Sequence, residues 1–446
     1  MWPVIPIGET IRNVRTAVKS PPIWFDRLIE KYGDAFHVVF PNGNKLLVTS
    51  NPELIRHVFQ SGHKNFTKTP VQTVNLADVL GKGLLTSEGE YWLRQRRLIQ
   101  PGFHREKLSA LIEVMHQQID LAIPELNQAA KSGQIIDLSN YMMKLTFNIV
   151  SACLFTTAVT GEELKIIEET IDIGNNHVVN TLRKPWMIPW YKVSGKYKEV
   201  YQKRDQVNQI LNRAFQERKK SKEQKNDLLQ MLLDARYEDS GLGMSDTQLR
   251  DETIVLYAAG HETSANGLSW LFWLVSEHAD AENNLLSELN GAATDRPGFS
   301  ELPGLSYSNQ TVMEGLRMRP PAWAVDRLCI QDHQFDGKAI ANQQSILMYI
   351  YGSHKNKNYW ENPESFDPDR FSPARYGKEQ KKAFIPFGAG PRQCIGYSFA
   401  QMEMQLVLLR LFKEFRFEYA GKTKPILQPL ITLQPKEGMP MRVYNR

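Results

Sequence analysis

The chain has 446 residues, 42% of them hydrophobic and 23% charged, with a net charge of +5. This is globular composition with material for a large core, and the small charge excess argues against a nucleic-acid binder while leaving room for a local basic patch facing an acidic protein. Three widely spaced cysteines, Cys153, Cys329 and Cys394, form no CxxC pair, which argues against a disulfide framework or a cysteine-rich zinc site and fits a reducing compartment.

The first residues, Met1-Trp-Pro-Val-Ile-Pro-Ile-Gly-Glu, hold too short an apolar run for a signal segment. No later stretch reaches the roughly 18 to 20 apolar residues that a membrane span requires, so a soluble, cytoplasmic protein is expected. Pro21 to Tyr32 reads as a short amphipathic helix ending at Gly33. Two β-prone runs, 35–40 and 45–49, flank Pro41-Asn42-Gly43-Asn44, whose Asn-Gly step signals a hairpin. Helical periodicity follows from Pro52 to about Gln60, whereas Thr67 to Gly83 is polar, bears glycine and specifies no element.

Over 91–101 a helix carries Trp92 and Arg96 four residues apart, hence on one face. Adjacent indole and guanidinium N–H groups suit a carboxylate; the alternative is a solvated basic helix with one core tryptophan. Arg94 and Arg97 fall on other faces. From Asp137 to Leu232 the pattern is helical with breaks. One break, Pro185-Trp-Met-Ile-Pro-Trp-Tyr191, reads as a surface loop with an aromatic plug or as a lid.

Ser245-Asp-Thr-Gln248 is a capping-box start, and a proline-free pattern continues to about His278, a helix of roughly 50 Å. In its middle, Ala258-Ala259-Gly260-His261-Glu262-Thr263 interrupts the apolar flanks. Gly260 costs about 1 kcal/mol against alanine, so the space it leaves should have a use. His261-Glu262 begins an HExxH zinc-protease pattern, but Ala265 stands where the second histidine belongs and that reading fails. Glu314 and Arg317 can pair at i and i+3 on a further helix stopped by Pro320-Pro321, with Ala322, Trp323 and Arg327 beyond it. Phe366-Asp-Pro-Asp-Arg370-Phe follows.

The stretch Phe384-Ile-Pro-Phe387-Gly388-Ala-Gly390-Pro-Arg392-Gln-Cys394-Ile-Gly396 stands at the foot of an apolar helical pattern beginning at Tyr397. Free N–H groups and the helix dipole favour a thiolate there. Three glycines remove side chains where a flat partner would approach the backbone, and Arg392 adds a fixed positive charge. A large planar anionic cofactor fits that description.

Phe387-x-x-Gly390-x-Arg392-x-Cys394-x-Gly396 resembles the haem-thiolate signature of the cytochrome P-450 monooxygenases. Trp92/Arg96, Gly260–Thr263, Glu314/Arg317 and Pro368–Phe371 also occur in that family's order. The resemblance implies a mainly α fold with a small β-rich region, one domain over residues 1–446, and haem b between the long central helix and the cysteine-ligand loop. Cys394 would ligate the iron, with Phe387, Gly388, Ala259 and Gly260 against the haem and Trp92, Arg96, Arg327 and Arg392 on its propionates. Thr263 and Glu262 would be the catalytic pair that feeds protons to dioxygen. Glu314, Arg317 and Arg370 would form a buried structural triad, and Ala258, Ala322 and Trp323 would lie near the substrate.

The implied activity inserts one oxygen atom from O2 into an organic molecule. Hydroxylation of an apolar fatty acid, terpenoid or carotenoid is the first expectation. Oxidative O-demethylation of a methoxylated compound such as a methyl sugar is the alternative, and a haem-binding sensor or carrier the non-enzymatic one. Electrons are expected from a separate ferredoxin or flavodoxin with an NAD(P)H-dependent reductase, docking on Arg94, Arg97, Lys381 and Lys382. A monomer without a nucleic-acid partner or transmembrane segment completes the expectation.

Overall fold

The computed structural model describes residues 1–446 except 41–42, 157–158, 185–186 and 222–223. Helices make up most of the chain and the strands form small sheets, in agreement with the expected fold class. The chain divides into two compact units, one of Met1–Thr69, Ala122–Met142 and Thr263–Arg446, the other of Pro70–Leu121 and Met143–Glu262.

The first unit contains every described strand. Strands β1 (Ala35–Val39) and β2 (Lys45–Thr49) pair antiparallel with Ala35 opposite Thr49, as the hairpin signal predicts, although Pro41 and Asn42 of the turn lie outside the described residues. A five-stranded sheet grows from this hairpin in the order β1-β2-β5-β4-β3, where β3 is Phe66–Thr67, β4 Val325–Cys329 and β5 Ser345–Met348. Side chains alternate across the pleat. Phe36, Val38 and Val48 enter one apolar cluster with Trp24, Phe25 and Tyr349, while Ala35 and Leu47 enter another with Phe59, Phe66 and Cys329. Helix Pro21–Tyr32 buries Trp24, Phe25 and Leu28 and stops at Gly33, whose φ of 87° suits a residue without a side chain.

The described residues of the second unit form helices joined by turns and loops, with no strand. Helix Gly161–Arg183 opens with a capping box between Thr160 and Glu163. Its Gly174 allows close packing, because a Cβ there would stand 2.2 Å from a methyl of Val79. The stretch that specified no element contains a widened helical turn, Val71–Leu76, running into a short helix, Ala77–Leu80. Pro185 and Trp186 of the proposed lid lie outside the described residues. Its remainder starts helix Ile188–Val193, with Trp190 exposed, Tyr191 buried and the Lys196 ammonium about 5 Å from both rings.

The central helix spans Asp246–Ser276, two residues short of the expected end. Its capping box is present: the Gln248 N–H donates to Ser245 Oγ at 3.3 Å and the Ser245 N–H to Gln248 Oε1 at 2.9 Å. Among the described residues no helix is long and apolar enough to cross a membrane.

Candidate functional site

Cys394 is exposed and forms no disulfide, on the turn between the short helix Gly390–Arg392 and the cysteine helix, Tyr397–Glu414. Its N–H donates to the Phe387 carbonyl at 2.9 Å, which closes the loop, and the Phe387 ring meets Tyr397 edge-on at 4.9 Å. Gly388 and Gly390 both have φ of 70°, the left-handed region that penalises a side chain. They differ in surroundings. A Cβ on Gly388 would meet nothing within 4 Å, whereas one on Gly390 would stand 2.1 Å from the Phe59 carbonyl oxygen. Gly390 is therefore required by backbone packing and not by an approaching flat partner. Gly396 is the helix N-cap at φ −84°, a backbone angle open to any residue.

Two cations gather at the same corner. Arg392 is half-buried and donates to the Phe66 carbonyl at 2.8 Å. Arg327 on β4 is buried, donates to the Asp326 carbonyl at 2.7 Å and lies 5.5 Å from the Phe59 ring centroid. Burial pushes its guanidinium down to about 10, which leaves it charged at neutral pH, and an anion beside it would offset the desolvation. Asp326 points to Thr69, whose hydroxyl donates to it at 2.6 Å, and burial raises its carboxyl. Of the substrate candidates in this unit, Ala322 is half-buried. Trp323 packs on the sheet cluster near Tyr349 and donates its indole N–H to the Leu430 carbonyl at 3.1 Å.

The Glu314 cluster is buried as expected. On helix Ser306–Met318, Glu314 receives Arg317 Nε at 2.6 Å and Nη2 at 2.7 Å, a bidentate pair. Arg370 Nε lies 3.4 Å from Glu314 Oε1, and the Asp367 N–H donates to the same oxygen at 3.0 Å. Arg317 also donates to the carbonyls of His354 and Pro363. His354 went unnoticed in the sequence. It is fully buried, its Nδ1 is 3.1 Å from the Arg317 carbonyl, and its Nε2 accepts the Ile385 N–H at 3.0 Å. Burial and the neighbouring Arg317 hold it neutral, with its pKa lowered to about 3. The buried ion cluster is thereby wired to the segment that leads into Cys394.

In the second unit, helix Gly89–Ile99 buries Trp92, while Arg96 is half-buried with Nε 3.1 Å from Gln100 Oε1. Of the expected docking cations, Arg94 pairs with Asp239 at 3.2 Å and stacks on Tyr237. Lys382 of the first unit pairs with Glu379 and Glu53. Lys381 and Arg97 are exposed.

Along the middle of the central helix Ala259 is exposed and Ala258 and Thr263 are half-buried, although Tyr257, His261 and Glu262 beside them are buried. Ala259 and Thr263, four apart, share a face. Gly260 looks elsewhere: a Cβ on it would come 3.2 Å from Val150, so its missing side chain serves helix packing. His261 is structural, edge-on to Phe147, with its pKa lowered to about 4 by burial. Glu262 accepts a hydrogen bond from Asn175 Nδ2 at 2.8 Å, a partner on helix Gly161–Arg183 that no motif announced. Nearby Asp172 has its carboxyl raised, first by burial and then by the Glu262 charge.

Among the described residues no three His, Cys, Asp or Glu side chains come together to hold a metal ion. An iron at Cys394 would thus need ligands supplied by its own macrocycle. The exposed sulfur, open Gly388 and buried Arg327 fit an anionic iron porphyrin.

Residues 10–441 match the family model described as cytochrome P450. The chain is similar to cyclooctatin synthase of Streptomyces melanosporofaciens, 27% identical over 96% of this chain and 93% of that protein. It is similar to pentalenene oxygenase of Streptomyces avermitilis, 29% identical over 89% and 86%. It also resembles human cytochrome P450 4F2, 27% identical over 94% and 84%.

Proposed function

The chain belongs to the cytochrome P450 family, whose members bind haem and draw electrons from redox partners, and on that premise we propose that Cys394 is the iron ligand of a haem b. The observation that carries the assignment is the exposed Cys394 sulfur beside a loop fixed by the Phe387 carbonyl and Gly390. Bound haem supplies the iron at which dioxygen is reduced, with the thiolate favouring O–O cleavage. Phe387, Gly388 and Ala259 would line the macrocycle. Arg327, Arg392 and Arg96 would neutralise its propionates, with the Trp92 indole N–H as a further donor; the desolvation of Arg327 supports this, since a buried cation gains most from an added anion.

Thr263 would offer a hydroxyl donor to dioxygen and Glu262 a proton, with Asn175 holding the Glu262 carboxyl at Oε2. Each turnover takes two electrons and two protons, places one oxygen atom in the substrate and releases the other as water. The electron donor is a ferredoxin or flavodoxin served by an NAD(P)H-dependent reductase. The substrate is an apolar carbocycle bound near Ala258, Ala322 and Trp323, a reading supported by relatives named for pentalenene and cyclooctatin. The activity occupies one domain over residues 1–446, supported by the extent of the family match, in the cytoplasm, supported by three cysteines without a disulfide.

The reduced carbon monoxide complex of the haem-loaded protein is expected to show the red-shifted Soret band of thiolate ligation, and Cys394→Ser to lose it. An unshifted band in folded wild-type protein would remove the assignment. Substrate class is tested by titrating pentalenene, a fatty acid and a methyl sugar against the Soret band, which shifts when water leaves the iron.

A further inference from the structure

Glu403 lies on the cysteine helix with 0% exposure, and neither carboxyl oxygen has a hydrogen-bond partner among the described residues. At this point the cysteine helix packs on the central helix: the Met404 methyl is 3.0 Å from where a Cβ on Gly267 would stand, and Ser264 is the polar side chain beside the carboxyl. Burial raises its pKa to about 8, Ser264 is the one opposing influence, and no charged side chain enters. The Arg317 guanidinium is already taken by Glu314, and Arg410 by Glu414. A carboxylate buried without a cation is far less favourable than the neutral acid, whose O–H can donate and whose C=O can accept. Ser264 directly follows Thr263 on the central helix.

We propose that Glu403 is a protonated carboxylic acid in the folded protein at neutral pH, a neutral group held beside Ser264 where the cysteine helix packs on the central helix. Raising the pH through its titration would place an uncompensated charge at that contact and loosen it.

The experiment uses the haem-loaded full chain and two variants, Glu403→Gln and Ser264→Ala, each first checked for the carbon monoxide band so that failure of the haem reading is seen separately. Infrared difference spectra of wild type are expected to contain a protonated-carboxyl band that titrates away near pH 8, is lost in Glu403→Gln and remains in Ser264→Ala. The folded acid keeps its proton above 4.5 where the unfolded acid loses it, so wild-type thermal stability falls as pH rises from about 4.5 to about 8. Glu403→Gln is expected to remove that slope. Absence of the band at pH 7, or an unaltered slope in Glu403→Gln, overturns the protonated state.

Discussion

At the residue scale, His354 shows how a side chain without a motif can govern a site. It bridges the Arg317 carbonyl, 37 residues away in sequence, and the Ile385 N–H, 31 residues away, and so ties the buried ion cluster to the cysteine segment. Both partners are backbone groups, which leave no trace in residue identity. Glu314 and Arg317 were legible because a three-residue spacing on a helix is itself a geometric statement; His354 had no such spacing to reveal it. Substituting leucine strands the Ile385 N–H in the interior, and the loss is expected to be about 1–3 kcal/mol, read from denaturant unfolding. Histidine also carries a pH signature. The folded form stays neutral down to about 3, while the unfolded form takes a proton below 6.5. The unfolded state therefore binds more protons in that window, and stability falls as pH drops from about 6.5 toward 3. His354→Gln is expected to flatten this acid limb, measured as thermal midpoint against pH.

At the element scale, the cysteine loop separates two glycines that look equivalent in sequence. Both sit at φ of 70°, where alanine is strained by about 1–2 kcal/mol. Gly388→Ala meets only that strain, but Gly390→Ala also drives a methyl into the Phe59 carbonyl, and backbone does not move aside as a flexible side chain does. Thermal midpoints are expected to fall modestly for Gly388→Ala and much further for Gly390→Ala; equal losses would mean that the His57–Ser61 turn yields. The central helix was legible nearly to its last residue, because a capping box and sustained periodicity act locally. The widened turns His57–Ser61 and Val71–Leu76 were not, since one extra residue in a turn is settled by what packs on it. Gly260 was read as open space toward the cofactor. Its neighbour Val150 comes from a helix about a hundred positions earlier, a contact that local pattern cannot carry.

At the scale of the whole molecule, the question is whether the two compact units behave as one domain. Helices Ile112–Ser132, Leu138–Phe155 and Asp246–Ser276 each contribute residues to both units. Melting one unit alone would have to halt inside three helices at once. Each truncated helix would lose the hydrogen bonds of the severed turns and expose new unsatisfied N–H and C=O groups at the break. Short helical remnants are also marginal by themselves, because the nucleation penalty is spread over fewer residues. These terms oppose a half-unfolded state and favour joint melting. Scanning calorimetry is expected to give one endotherm. The fluorescence of Trp92, in one unit, should be lost at the same temperature as that of Trp270 and Trp360, in the other, when each is isolated by replacing the remaining tryptophans with phenylalanine. Two endotherms, or separated midpoints for these reporters, would show that the helices can be cut at the unit boundary and that the single-domain reading is wrong.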